Sequence, residues 1–171
     1  LEVGAGKGGF ARGMAKRHAD TAYFAMERVT DCVVLAAEGA METGLSNLRF
    51  VIDTADNLTR IFAPGTVSKI FLNFSDPWPK ARHEKRRLTY RTFLAIYKKI
   101  LKKDGAIHFK TDNRGLFDFS LEEFKDFGMR MEKLTFDLHN SEYMEGNVMT
   151  EYEKRFSSMG VPINRVECYF D

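Results

Sequence analysis

The first nine residues, Leu1-Glu2-Val3-Gly4-Ala5-Gly6-Lys7-Gly8-Gly9, run from an apolar stretch into a glycine-rich loop. Gly4, Gly6 and Gly9 fit a G-x-G-x-x-G spacing, in which small residues let the backbone turn sharply and approach a bound nucleoside. A glycine-rich turn that binds nothing has the same spacing, so the discrimination falls to two carboxylates. Glu27 ends the next strand-like run, about twenty residues past the loop, where an acidic side chain can accept hydrogen bonds from both hydroxyls of a ribose. Glu2 lies inside the first run, and a buried carboxylate there needs a partner.

Further candidate groups lie along the chain. Asn73-Phe74-Ser75-Asp76-Pro77-Trp78-Pro79-Lys80 follows a hydrophobic strand and so projects from the carboxyl edge of a sheet, where doubly wound folds bind ligands. Two prolines stiffen this loop around the only tryptophan, which either packs in a rigid turn or stacks on a base. Arg82, His83, Glu84, Lys85, Arg86 and Arg87 come next, with enough positive charge over about two helical turns to track several phosphates. His83 reads as a phosphate contact or surface residue rather than a base. Lys110-Thr111-Asp112-Asn113-Arg114 and Thr150-Glu151-Tyr152-Glu153 place more polar groups at the same edge, although Asn113 can equally cap a helix and the later Glu residues can form a negative first turn. Asp53, Thr54, Ala55 and Asp56 close the third strand with a further set of polar groups at that edge; Asp56 is equally placed to cap a helix before Leu58.

These groups need a scaffold, and the pattern of the chain supplies one. Short β-type runs at 1–4, 23–27, 48–52, 68–73, 106–111, 131–138 and 165–170 alternate with helical spacing, the rhythm of a doubly wound α/β sheet. Helices are expected at 10–18, 30–41 and 88–101. Tyr90, Phe93, Leu94, Tyr97, Ile100 and Leu101 recur every three or four residues on the last of these and belong to the core. Phe117, Leu121, Phe124 and Phe127 form a similar stripe ended by Gly128, and a short helix at 152–159 ends at Gly160. The last two strands lack βαβ spacing and are free to pair antiparallel. The long unpatterned stretches are 73–85 and 139–147, and such loops are often functional.

The 171 residues, 44% of them hydrophobic, suit one domain covering the whole chain. The net charge of +2 conceals a basic stretch around Lys80 to Arg87 and an acidic one from Glu122 to Glu153. Two distant cysteines, Cys32 and Cys168, suit a reduced cytoplasmic protein without a disulfide, and no metal-ligand spacing, signal peptide or long apolar run is present. Because Leu1 already sits in a strand, a preceding native segment is expected. A monomer and a homodimer both suit the sequence.

Taken together, Leu-Glu-Val-Gly-x-Gly-Lys-Gly, Asn-Phe-Ser-Asp-Pro-Trp-Pro-Lys, Arg-His-Glu-Lys-Arg-Arg-Leu, His-Phe-Lys-Thr-Asp-Asn and Thr-Glu-Tyr-Glu resemble the bacterial tRNA (guanine-N7)-methyltransferase family over essentially the whole chain. The resemblance implies a Rossmann-like class I methyltransferase: a seven-stranded, mostly parallel sheet with helices on both faces and an antiparallel C-terminal strand. It implies S-adenosylmethionine held by Glu2, Gly4, Gly6, Glu27, the Thr54 position and Asp76. It also implies substrate contacts at Lys80, Asp112, Thr150, Glu151, Tyr152 and Glu153, and RNA contacts along Arg82 to Arg87. The family often has an acidic residue where this chain has Thr54; Asp53 or Asp56 can compensate.

The implied reaction is methylation of guanine N7 at position 46, in the tRNA variable loop, and it asks for no base. N7 attacks through an in-plane lone pair and loses no proton, so alignment carries much of the catalysis. Asp76 or Asp112, as catalytic residues, would orient the guanine edge and stabilise the cation that develops on the ring. The competing readings are a nicotinamide-dependent oxidoreductase, for which the chain has little room, and a non-catalytic RNA-binding module using the basic run alone.

Overall fold

The computed structural model describes residues 1–171. Its strands are β1 (Glu2–Val3), β2 (Tyr23–Glu27), β3 (Leu48–Ile52), β4 (Val67–Asn73), β5 (Leu101–Thr111), β6 (Met129–Thr135) and β7 (Asn164–Phe170). They form one sheet in the order β3-β2-β1-β4-β5-β7-β6. Strands β1 to β5 pair in parallel, and β7 runs antiparallel between β5 and β6. The chain winds outward from β1 through β2 to β3, then crosses to the other side of β1 to make β4. The ends of β1 and β4 therefore form a topological switch point, where the flanking loops diverge and leave a crevice.

Each sheet face carries its own core. Phe10, Ala11 and Ala15 of α1 (Gly9–Arg17) pack with Tyr23, Ala25 and Phe71, and Ala40 of α2 (Thr30–Met41) joins them. The larger core lies opposite, where α3 (Leu58–Ile61), α4 (Arg91–Ile100) and α5 (Arg114–Asp126) cover Ile70, Leu72, Ile107, Phe109, Val166 and Cys168. Phe93, Leu94, Tyr97 and Ile100 are all buried because their spacing returns them to one side of α4. Phe93, Leu94 and Ile100 each contribute about 1.5–3 kcal/mol by leaving water. A final helix, α6 (Glu151–Ser157), follows the second long loop.

The expected elements are present, with shifted ends. Helix α4 starts at Arg91 rather than at 88, since Thr89 is turned inward to hydrogen-bond Ser120 of α5 at 2.7 Å. Strand β5 starts at Leu101, directly after α4, with a register shift between Val67 and Lys69 of its partner. Strand β6 occupies 129–135 rather than 131–138, because Gly128 (φ 75°) turns the chain from α5 straight into the strand. Leu138 is instead buried in a 3-10 turn, its amide bonded to the Ile163 carbonyl. The basic run forms a six-residue 3-10 helix, Ala81–Arg86, rather than an α-helix.

Candidate active site

The glycine loop turns through positive φ at Gly4 (80°), Gly6 (53°) and Gly8 (72°), a region that side chains resist. The expected third glycine of the pattern, Gly9, serves differently. Gly8 is the N-cap of α1, and a side chain there would press on Ala36, whereas Gly9 makes room for the Glu151 carboxylate. Gly13, one turn later, makes room for Val148. These two bare positions on α1 receive the segment leading into α6.

Glu27 closes the loop from the side. One carboxylate oxygen accepts from the Gly6 amide at 3.0 Å, and the other accepts from Arg28 and Val29 at 2.8 and 3.0 Å. With about four lone-pair sites per carboxylate, these three bonds leave limited acceptor capacity for ribose hydroxyls. Glu2 is almost completely buried. Its Oε1 accepts from Asn73 at 3.0 Å, while Oε2 has no hydrogen-bond partner. Burial pushes its pKa up to about 8, against the opposing influence of Asn73 and Lys110.

Two clefts meet at Gly4 and Phe74. The smaller, of about 380 Å³, is lined by Glu2, Gly6, Lys7, Glu151, Tyr152 and Arg155 among others. The larger, of about 660 Å³, runs past Glu27, Thr54, Asp56, Asp76, Trp78 and Arg86. Asp53 also borders it, but its carboxylate accepts from the Thr54 amide and the Asn57 side chain, both at 2.7 Å. Asp56 does not cap α3. The N-cap position is Asn57, and no side chain caps that helix.

The loop after β4 forms the wall between and above the clefts. Phe74 and Trp78 take φ of 53° and 42°, each costing roughly 1–2 kcal/mol for a residue with a side chain. Asp76 is exposed and faces the Arg28 guanidinium at 3.6 Å across the larger cleft. The Arg86 guanidinium lies 4.9 Å from the centre of the Trp78 ring, and His83 meets that ring edge-on. Trp78 thus packs within this cluster while bordering the cleft. Arg82, Lys85 and Arg86 are exposed and Glu84 is half-buried, but Arg87 points inward, towards the loop backbone. Lys80 is exposed and borders neither cleft.

Opposite this wall, the Tyr152 hydroxyl donates to Asp112 at 3.1 Å, and its ring packs on Phe74 and Phe156. Asp112 itself borders neither cleft and is joined to the smaller one through Tyr152. Asn113 caps α5 by accepting from the Leu116 amide, and Thr150 caps α6 by accepting from the Glu153 amide. Glu151, the first residue of α6, lies against the start of α1, 3.8 Å from Arg12.

Glu153, expected at the substrate, is completely enclosed. It accepts from Lys110 at 2.6 Å and Asn147 at 2.8 Å and contacts His139 at 2.9 Å. Burial opposes its ionisation, but Lys110 and the hydrogen bonds outweigh burial and hold its carboxyl below the usual range. Lys110 also donates to the Asn147 side chain and the Val148 carbonyl. Glu153 therefore supports the Thr150–Tyr152 segment from beneath. Sequence reasoning missed this anchor; its one signal was a lysine inside the expected strand at 106–111, directly after Phe109.

A glycine loop with a neighbouring acid at the switch point of a 3-2-1-4-5-7-6 sheet, beside a cleft divided by the β4 loop, defines a class I methyltransferase. A family model described as "Putative methyltransferase" matches residues 1–166. The tRNA (guanine-N(7)-)-methyltransferase of Bacillus subtilis is 50% identical over 167 residues, covering 98% of this chain and 78% of the relative. That of Halalkalibacterium halodurans is 51% identical over 170 residues, covering 99% and 77%. The chain belongs to the tRNA (guanine-N7)-methyltransferase family. Solved structures share the fold at low identity, among them precorrin-6y C5,15-methyltransferase of Geobacter metallireducens (TM-score 0.67, 12% identity, 99% of this chain and 78% of that one). A SAM-dependent methyltransferase of Aquifex aeolicus is similar (TM-score 0.65, 16% identity, 98% and 79%).

Proposed function

We propose that this enzyme transfers the methyl group of S-adenosylmethionine to N7 of guanine in tRNA, at position 46 of the variable loop, giving 7-methylguanosine. The observation that carries the reading is the meeting of the two clefts at Phe74, with the Asp76–Trp78 turn on one side and the Asp112–Tyr152 pair on the other. The names of relatives about half identical over nearly the whole chain support the same substrate and reaction.

The residues present fit the cofactor. A carboxylate oxygen buried without a partner at the smaller cleft, Glu2 Oε2, suits a cationic amino-acid end. Glu27 at the larger cleft suits a ribose, with its remaining lone pair or by exchange with a loop amide, and Thr54 to Asp56 suit the base. When bound, S-adenosylmethionine supplies an electrophilic methyl on a sulfonium. The protein aligns and stabilises. Tyr152 and Phe74 provide an aromatic edge, and Asp112, oriented by the Tyr152 hydroxyl, is available to hold the guanine N1 and N2 hydrogens. Asp76 faces the larger cleft as the second carboxylate. Negative charge at these positions favours the cation that grows on the purine, and holding the two reactants in line supplies most of the rate. No side chain has to remove a proton.

Lys85 and Arg86, exposed at the larger cleft, and Arg82, exposed on the same 3-10 helix, are placed to meet phosphates as the target nucleotide leaves its tertiary contacts. The work is assigned to the cytoplasm, and a monomer or a homodimer would serve. Labelled methyl groups supplied with unmodified tRNA should appear in 7-methylguanosine at one variable-loop position; label at another nucleotide or in another base would overturn the assignment.

A further inference from the structure

Arg87 belongs to the run that the family resemblance assigns to RNA, yet its guanidinium is spent inside the protein. Its Nε donates to the Pro77 carbonyl at 3.1 Å and its Nη2 to the Trp78 carbonyl at 3.0 Å. The face of the same group lies 4.2 Å from the centre of the Phe119 ring on α5. Two successive carbonyls thus receive one planar fork, and an aromatic ring backs it. This occurs where Trp78 is held at a φ of 42° and cannot rely on intrinsic backbone preference.

We propose that Arg87 is a positioning residue that locks the Asp76–Trp78 turn over the larger cleft, and that it is not a phosphate ligand. With both carbonyls tied to α5 through Arg87, Asp76 stays opposite Arg28 and the Trp78 ring stays against Arg86 and His83. Arg86, one residue earlier, remains on the cleft side. The neighbouring arginines therefore divide two tasks, one holding the loop and the other meeting the nucleic acid. Lysine cannot replace the inner one, because a single ammonium does not present two coplanar donors and a flat face together.

The assignment of tasks builds on the tRNA reading, but its structural half can be tested without it. Trp78 is the only tryptophan, so its emission and acrylamide quenching report this turn alone. Arg87→Ala and Arg87→Lys should both alter emission and increase quenching, and both should lower kcat/KM for methyl transfer by about tenfold to a hundredfold. The salt dependence of tRNA binding should keep its slope in Arg87→Ala and lose about one unit in Arg86→Ala. A phosphate ligand would behave oppositely: Arg87→Ala would lose about one unit of slope, Arg87→Lys would retain activity, and quenching would not change. If Arg87→Ala does not fold, Arg87→Lys decides, since wild-type quenching and turnover in that variant overturn the proposal. Absence of tRNA binding by the unaltered enzyme would refute the function, not the role of Arg87 in the turn.

Discussion

Glu2 holds a carboxyl group in the protein with one oxygen bonded and the other unpartnered, and burial raises its pKa from 4.5 to about 8. In the cofactor-free protein its stability contribution is therefore complete below pH 4.5 and is lost as pH rises through about 8. A cation bound at Oε2 reverses the preference and expels the proton. Calorimetry of cofactor binding in buffers of different ionisation enthalpy should show release of about one proton near pH 7, fading well above pH 8, and Glu2→Gln should remove that component. Equal proton release by the variant would place the titrating group elsewhere. Asp112 is a different kind of carboxylate, half-buried and hydrogen-bonded by Tyr152. Asp112→Asn keeps shape but removes charge, so the expected result is a kcat lowered by about tenfold or more with tRNA affinity nearly unchanged. Equal loss in both quantities would assign it to binding.

At the scale of elements, the placement of α6 depends on one buried ion pair. Lys110 is the penultimate residue of β5, Glu153 lies in the first turn of α6, and Asn147 and Val148 in the loop before α6 share the same ammonium. Gly9 and Gly13 let this segment lie close against α1. Removing one partner leaves the other charge enclosed, so Lys110→Met should cost about 3–5 kcal/mol in denaturant unfolding. Adding Glu153→Gln should return much of that stability, since no buried charge is then stranded. If the single variant is as stable as the unaltered enzyme, Glu153 has another compensating partner. The α6 docking in turn sets Tyr152 against Asp112 and Phe74, linking packing energy directly to the site.

For the molecule as a whole, charge is distributed by task. The net charge is only +2, but the exposed cations Lys85 and Arg86 line the larger cleft, and Arg82 is exposed on the same 3-10 helix. The two clefts that suit the cofactor contain charges of both signs. Raising salt should therefore weaken tRNA binding steeply, through counterion release, while changing cofactor affinity much less. Parallel salt dependence of the two ligands, measured by titration, would contradict this division. No helix is long and apolar enough to cross a membrane.

The strand and helix order, the glycine loop, and the polar segments at the carboxyl edge were legible in the sequence because local periodicity and turn chemistry encode them. The loss of βαβ spacing left the last two strands free to pair antiparallel, the family resemblance implied the reversed C-terminal strand, and the family itself followed from the order of five motifs. Gly8 rather than Gly9 as the third strained glycine could not be read, since φ is not written in composition. The inward turn of Arg87 and the enclosure of Glu153 were equally hidden. Each lies in a polar run that looks solvent-facing, and each is reversed by partners distant in sequence, Phe119 in one case and Lys110 in the other. The chain thus determines by itself which chemical groups reach the edge of the sheet. Only the tertiary structure decides which of them face the cleft and which hold it open, because that choice depends on the long-range contacts that satisfy buried charge and strained backbone.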